Sequence, residues 1–169
     1  MPRINRIDYK TKKITRFYPK SINKECTTNI INRLLKHSDG NVYAFCNRSV
    51  FKCSMNQTVE TVFPDIAIPS PTYSVAQAPD KDIYIGTESN GLYIYSENWK
   101  LKKHVPIDGI IATILPDNNG DIWLGLDETG ICLFNKNKQT FTWLHKDNTN
   151  LNNNSIRTFV SYGDSSILV

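Results

Sequence analysis

The chain has 169 residues, of which 40% are apolar and 21% charged, the make-up of a packed domain rather than a disordered tail. It holds no run of 18 apolar residues, which excludes a membrane-spanning helix, and its first residues lack the apolar stretch of a secretory leader. The net charge of +4 is uneven: residues 1–20 carry seven basic side chains and one acid, the remainder 13 basic and 15 acidic.

In chain order, the first predicted elements are two short strands, residues 4–10 and 14–18. Arg3, Arg6, Lys10, Lys12, Lys13, Arg16 and Lys20 alternate there with Ile4, Ile7, Tyr9, Ile14 and Phe17, as the wet positions of a hairpin would. A basic arm can bind phosphate backbones, but no recognition motif accompanies this one, so no nucleic-acid partner is expected.

Three larger units follow. The first begins at Ile30 and has predicted strands at residues 41–46, 50–53 and 61–63, with a turn at Asp39-Gly40. The second has strands at 73–78, 82–87, 91–95 and 101–107. The third has them at 110–115, 121–126, 131–134 and 140–144. Asp, Asn and Gly cluster between the strands, as at Pro116-Asp-Asn-Asn-Gly120, because Asn and Asp tolerate left-handed φ and Gly supplies it freely. Two more strands, residues 156–160 and 166–169, finish the chain.

The second strand of each unit says nearly the same thing: Asn41-Val-Tyr-Ala-Phe-Cys46, Asp82-Ile-Tyr-Ile-Gly-Thr87 and Asp121-Ile-Trp-Leu-Gly-Leu126. Their first residues stand 41 and then 39 positions apart, and a degraded copy starts at Asp164, 43 positions on. Four short strands, a to d, repeating about every 40 residues are the mark of a β-propeller blade. Strands b and c are apolar at most positions, which suits sheets stacked so that both faces are covered.

The expected fold is therefore all-β, a partial β-propeller of four-stranded antiparallel blades forming one domain over 1–169. Full blades are expected at about 28–65, 71–107 and 109–145, with half-blades at 1–20 and 155–169. The first half-blade has c and d without a and b, and the last has the reverse. The chain is thus expected to be part of something larger, with any export signal upstream.

Candidate chemistry is sparse. Cys46 and Cys53 lie in neighbouring strands, yet a tight turn at Arg48-Ser49 would place Cys46 opposite Phe51, an offset that argues against a disulfide. With Cys26 and Cys132 they show no zinc spacing, and they are read as small apolar residues, Cys26 in a loop. Asp117-Asn-Asn-Gly-Asp121 has oxygen ligands at alternate positions but no bidentate Glu at calcium-loop distance, so it reads as turn chemistry. No metal, cofactor or catalytic residue is expected. His37, His104 and His145 occupy non-equivalent strand positions and suggest no shared pocket. Tyr43, Tyr84 and Trp123 recur at the third position of strand b. Recurrence at one slot points to packing between blades rather than to a ligand stack, and Phe17, Phe63 and Trp143 in strand d read the same way.

Gly120-Asp-Ile-Trp-Leu-Gly-Leu126 with Thr129-Gly-Ile-Cys-Leu-Phe134 resembles the two-component regulator propeller repeat. So does Lys81-Asp-Ile-Tyr-Ile-Gly-Thr87 with Asn90-Gly-Leu-Tyr-Ile-Tyr95. That repeat reads roughly D-x-x-G-x-[IL]-W-[IL]-G-T, then G-[IL]-x-x-[FY]. The continuation through Phe141–His145 and Leu151–Ile156 also fits, whereas the first unit has Phe45-Cys46 where the motif has Gly-Thr. The resemblance implies the periplasmic sensing region of a bacterial hybrid two-component histidine kinase. In such proteins propellers precede an immunoglobulin-like module, a membrane helix and the kinase, and many members sense oligosaccharides. The repeat itself is structural, so it carries over no ligand residue.

Three uses are expected from this reading. The first is a binding module whose loops contact a carbohydrate ligand or a sister module. The polar b–c turns differ most between blades. With the d–a connections they should crowd one face, which nominates Arg48, Glu88, Asn90, Asp127, Glu128 and Tyr73 as ligand contacts, with Trp99 as a second stacking ring. The second is a propeller lyase, which needs a histidine, an acid and a metal together. The third is assembly, in which bare half-blade edges pair with remaining blades or with a second copy.

Overall fold

The computed structural model describes residues 4–17, 30–47, 49–54, 59–62, 68–163 and 165–169. These form sixteen strands and no helix among the described residues. Strands β1 (Ile4–Ile7) and β2 (Ile14–Phe17) make a hairpin. The first four-stranded sheet holds β3 (Arg33–Lys36), β4 (Val42–Cys46), β5 (Ser49–Cys53) and β6 (Val59–Val62). The second holds β7 (Thr72–Gln77), β8 (Ile83–Thr87), β9 (Leu92–Tyr95) and β10 (Leu101–Val105). The third holds β11 (Ile111–Pro116), β12 (Ile122–Leu126), β13 (Gly130–Asn135) and β14 (Thr140–Leu144). Strands β15 (Val160–Tyr162) and β16 (Ser166–Leu168) form a last hairpin. Within every sheet the strands lie in chain order and neighbours are antiparallel, so each unit is a blade with strands a to d side by side. The fold is all-β and propeller-type.

Contacts divide the chain into two compact units, Met1–Thr72 and Tyr73–Val169. In the first, Ile4 of the β1–β2 hairpin packs with Ile31 and Cys53 on a core of Ala44, Cys46 and Phe51. In the second, the core runs through two blades. It joins Tyr84, Leu92 and Ile94 to Ile111, Ile122, Leu124, Leu126, Cys132 and Phe134. Strands β8 and β9 are buried at every position, and β12 and β13 nearly so. Burial of each aliphatic side chain there contributes about 1.5–3 kcal/mol. The glycine of strand b has a steric reason. A Cβ on Gly86 would lie 2.6 Å from Cγ2 of Ile111, and one on Gly125 would lie 2.5 Å from Cγ2 of both Ile156 and Thr113. The next blade crosses strand b at that point and leaves no room for a side chain.

Several boundaries differ from the expectation. In the first b–c hairpin the ladder places Cys46 opposite Ser49 rather than Phe51, and Cys53 opposite Val42. With Cys46 opposite Ser49, all five residues of β4 and β5 are paired, which the offset register would not allow. Cys53 and Cys132 are free thiols; burial pushes Cys53 up to about 11 and Cys132 up to about 12, so both are neutral apolar fillers at neutral pH. Cys26 and Phe63 lie outside the described residues. The last strand a starts at Val160, paired with Leu168, rather than at Ile156, because the residues before it pack on the preceding blade. Instead the Ile156 amide donates to the Leu126 carbonyl at 2.9 Å, and Ile156 and Phe159 are buried against Ile131. Trp143 and Phe141 are 37% and 36% exposed, not packed away between blades, because β14 is the outer strand of its sheet. No helix of the described residues is long and apolar enough to cross a membrane.

Candidate functional site

The b–c turns and d–a connections meet, and backbone hydrogen bonds fix how. In the first unit the Thr72 amide donates to the Asn47 carbonyl at 3.0 Å, and Nδ2 of Asn32 donates to the Thr72 carbonyl at 3.1 Å. In the third blade the Asp127 amide donates to the Ile110 carbonyl at 3.0 Å and the Gly130 amide to the Asn154 carbonyl at 2.7 Å. The first and third b–c turns are thereby strapped to neighbouring connections, whereas in the second the Thr87 amide bonds the Gly91 carbonyl within the turn.

Side chains complete two networks at this end of the second unit. Oδ1 of Asp127 accepts a hydrogen bond from the Ser155 hydroxyl, and its Oδ2 pairs with Arg157 at 2.8 Å. In the preceding blade, Oδ1 of Asn90 accepts from the Tyr93 hydroxyl at 3.1 Å, and the Asn90 carbonyl accepts from Nε2 of His104 at 2.7 Å. The His104 and Tyr93 rings stack, with centroids 4.3 Å apart and planes at 19°. Asp127 and Asn90 thus have structural engagements. Glu88 and Glu128 are exposed and make no hydrogen bond or ion pair among the described residues, and Glu128 holds φ at +68°. Tyr73 is half-buried near the start of β7, and Arg48 lies outside the described residues. Trp99 is not a loop-face ring: it is 8% exposed, packs on Tyr95 and sits in the c–d turn, at the other end of the blade. Nothing in the sequence marked Ser155, Arg157, Tyr93 or His104 as parts of this end, since each contacts a residue far from it in sequence or across the hairpin.

At the a–b end, the loops of the three four-stranded blades share one backbone form. The amide of the first loop residue bonds the carbonyl of the fifth, and the fourth residue takes positive φ: Gly40 at +83°, Lys81 at +71°, Gly120 at +85°. An aspartate closes each loop, which accounts for the Asp and Asn residues here as turn formers. Oδ1 of Asp39 accepts from the Asn41 amide at 2.9 Å, and its Oδ2 accepts from the Tyr43 hydroxyl at 2.8 Å. Burial raises the Asp39 carboxyl, but the hydrogen bonds from Asn41 and Tyr43 outweigh it and leave the group well below the usual carboxylate range. Asp80 takes the same third position and accepts from the Asp82 amide at 3.1 Å, but Lys136 of the next blade pairs with it and with Asp82. Lys102 also reaches Asp82, at 2.7 Å. The Tyr84 hydroxyl is consequently buried with no hydrogen-bond partner among the described residues. In the third blade the aspartate moves to the first position: Oδ1 of Asp117 accepts from the amides of Asn119 and Asp121, and Oδ2 from Nε1 of Trp123 at 3.0 Å. Of the recurrent strand-b rings, Tyr43 and Tyr84 are buried, whereas Trp123 is only half-buried.

The three histidines have separate surroundings. Nδ1 of His37 accepts from the Asp39 amide at 3.1 Å and its ring meets Tyr43 edge-on, His104 stacks as described, and Nδ1 of His145 lies 3.7 Å from Asp147.

No family model matches the chain, and no curated protein matches it. Solved structures do. The extracellular domain of the hybrid two-component system BT4673 from B. thetaiotaomicron matches 98% of this chain and 23% of its own length, with a TM-score of 0.76 and 18% identity. That of BT3049 from the same organism matches 82% of this chain and 20% of its own, with a TM-score of 0.64 and 24% identity. A catalytically inactive virginiamycin B lyase from Staphylococcus aureus matches 83% and 47%, with a TM-score of 0.62 and 20% identity. The likeness establishes the fold. The chain spans about a quarter of the length of the sensor domains it matches.

Proposed function

We propose that the chain is a segment of the ligand-sensing propeller of a bacterial two-component sensor, lying on the periplasmic side of the membrane. It acts by binding and has no chemistry of its own. One observation carries the reading: the sensor domain of BT4673 superposes on 98% of the chain, from β1 to β16. The repeat motif in blades two and three supports it independently. The remaining blades and modules of the same sensor are its first partners, and a second copy joined through open sheet edges is a further one. The expected stimulus is an oligosaccharide. Glu88, Asn90, Asp127, Glu128 and Tyr73 of the second unit are the expected contacts for ligand or a sister module, with Glu88 and Glu128 the members whose side chains are uncommitted; Arg48 is the corresponding candidate of the first unit and lies outside the described residues. Calorimetry of the purified protein against an oligosaccharide panel tests this. Affinity should fall at least tenfold when Glu88, Asn90, Asp127 and Glu128 are replaced together; unchanged affinity removes this surface.

The competing reading is a lyase on the same fold, favoured by the TM-score of 0.62 with the virginiamycin enzyme. A stoichiometric divalent metal in the purified protein would support the lyase and count against the sensor.

A further inference from the structure

The chain holds two Asn-Gly pairs, Asn90-Gly91 and Asn119-Gly120, both in hairpin turns of the second unit. An asparagine followed by glycine is chemically exposed, because a residue without Cβ lets its backbone nitrogen reach the carboxamide carbon of the residue before it. The dipeptide alone gives the two pairs the same reactivity, and their surroundings separate them.

Asn90 is held at both of its oxygens. Its Oδ1 accepts from the Tyr93 hydroxyl at 3.1 Å, and its backbone carbonyl accepts from Nε2 of His104 at 2.7 Å. The Gly91 carbonyl accepts from the amide and the hydroxyl of Thr87, at 3.2 and 2.8 Å. Gly91 is buried, and a Cβ on it would meet the Val105 carbonyl oxygen and lie 2.6 Å from the Ile107 nitrogen. This pair cannot turn without breaking those bonds and pushing on the end of β10.

Asn119 is exposed, and its carboxamide makes no hydrogen bond among the described residues. The same loop position holds Asp39 and Asp80 in the other blades, where each carboxylate closes its own turn. Here Asp117 closes the turn from two residues earlier and leaves the Asn119 side chain unengaged. The Gly120 amide donates to the Asp117 carbonyl at 3.2 Å, the longest of three equivalent turn bonds, those of Gly40 and Lys81 being 3.0 and 2.8 Å. Nothing lies within 4 Å of the place where a Gly120 Cβ would stand. An unheld carboxamide, a weakly held nitrogen and room to bring them together are all present in this turn.

We propose that Asn119 is a site of spontaneous covalent modification, losing its amide through an imide formed with Gly120. The Gly120 nitrogen attacks Cγ of Asn119, and the new C–N bond closes the imide ring. The bond from Cγ to Nδ2 breaks, and Nδ2 leaves as ammonia with the proton that the Gly120 amide gives up. Solvent water then opens the imide at either carbonyl, giving aspartate or isoaspartate. The step is neither an oxidation nor a reduction. Either product sets a second carboxylate beside Asp117. Aspartate restores the acid that the sister loops carry at this position. Isoaspartate adds a methylene to the backbone of a loop whose Asp117 amide and Asp121 carbonyl are bonded at 2.9 Å. The modification is independent of what the chain binds.

Peptide mapping of the whole chain by mass spectrometry tests this. Trypsin releases Asn90 in residues 82–100 and Asn119 in residues 104–136. At mildly alkaline pH the folded chain should convert Asn119 about tenfold faster than Asn90 or more, and the ratio should fall to about threefold or less in urea, where no packing distinguishes the two. Isoaspartate should accompany aspartate at position 119, as imide opening requires. Gly120→Ala keeps the Asn119 side chain in place and should slow the conversion about tenfold, since its Cβ hinders ring closure. Asn119→Gln, whose longer side chain closes a less favourable ring, should remove the fast conversion from the 104–136 peptide. Equal rates at Asn119 and Asn90 in the folded chain, or conversion of Asn119 only after unfolding, would overturn the site. A product of aspartate alone, or undiminished conversion in Gly120→Ala, would overturn the imide route.

Discussion

On one sheet, Asp127 at the b–c end and Asn119 at the a–b end occupy comparable loops and behave oppositely. Both oxygens of Asp127 are engaged, by Ser155 and Arg157, and its turn is strapped to the incoming chain. The Asn119 side chain is engaged by nothing, because Asp117 has taken over the closing of its turn. The difference separates a loop whose side chain ties it to the following segment from one whose side chain is uncommitted.

Backbone room provides the largest expected contrast. Gly130 has φ of +97°, and a Cβ there would meet the Leu144 carbonyl oxygen and lie 3.2 Å from Cβ of His145. Gly120 has φ of +85° and nothing within 4 Å. Gly130→Ala should cost about 3 kcal/mol in urea unfolding, from strain and overlap together, and Gly120→Ala about 1 kcal/mol, from strain alone. Equal losses would erase the distinction between a crowded end and an open one.

Side-chain removal comes next. Asp127→Ala should destabilise by about 1–2 kcal/mol, since it leaves the Ser155 hydroxyl unpaired and releases a mostly exposed Arg157. Asn119→Ala should stay within about 0.5 kcal/mol of the parent protein. A large loss at Asn119 would mean that its amide has a structural duty.

The aspartate that closes the first a–b loop supplies a pH signature. The folded-state pKa of Asp39 is depressed, so its contribution is present in full above the unfolded carboxylate value near pH 4 and disappears as pH falls through the lower folded value. Acid unfolding followed by tyrosine fluorescence should therefore be shallower below about pH 4 in Asp39→Asn than in the parent. The smallest effect belongs to Lys81, a non-glycine residue at φ of +71° whose ion pair with Glu97 is exposed. Lys81→Gly should raise stability by about 0.5 kcal/mol, relief of strain being partly offset by unfolded-chain entropy.

The blades themselves were legible in the sequence because strand b repeats as a whole phrase, and the predicted and observed edges of β8, β12 and β14 agree to within a residue. Strand a of the last hairpin was misplaced because Ile156 and Phe159 are apolar in order to pack against Ile131, and apolar pattern does not separate such packing from strand pairing. The Cys46 register slipped for a similar reason: either of two turns fits Asn47-Arg-Ser49, and ladder pairing decides. The nominated loop residues were recognisable as polar turns, but their engagements with Ser155, Arg157, Tyr93 and His104 arise from tertiary placement.

Native-state hydrogen exchange resolved by residue tests the architecture on which this rests. Amides of β8, β9, β12 and β13 should be the slowest, recurring with the forty-residue period, while β10 and β14 at the outer edges exchange faster. Slowest exchange in β10 and β14, or protection with no such recurrence, would contradict blades whose middle strands are enclosed on both faces.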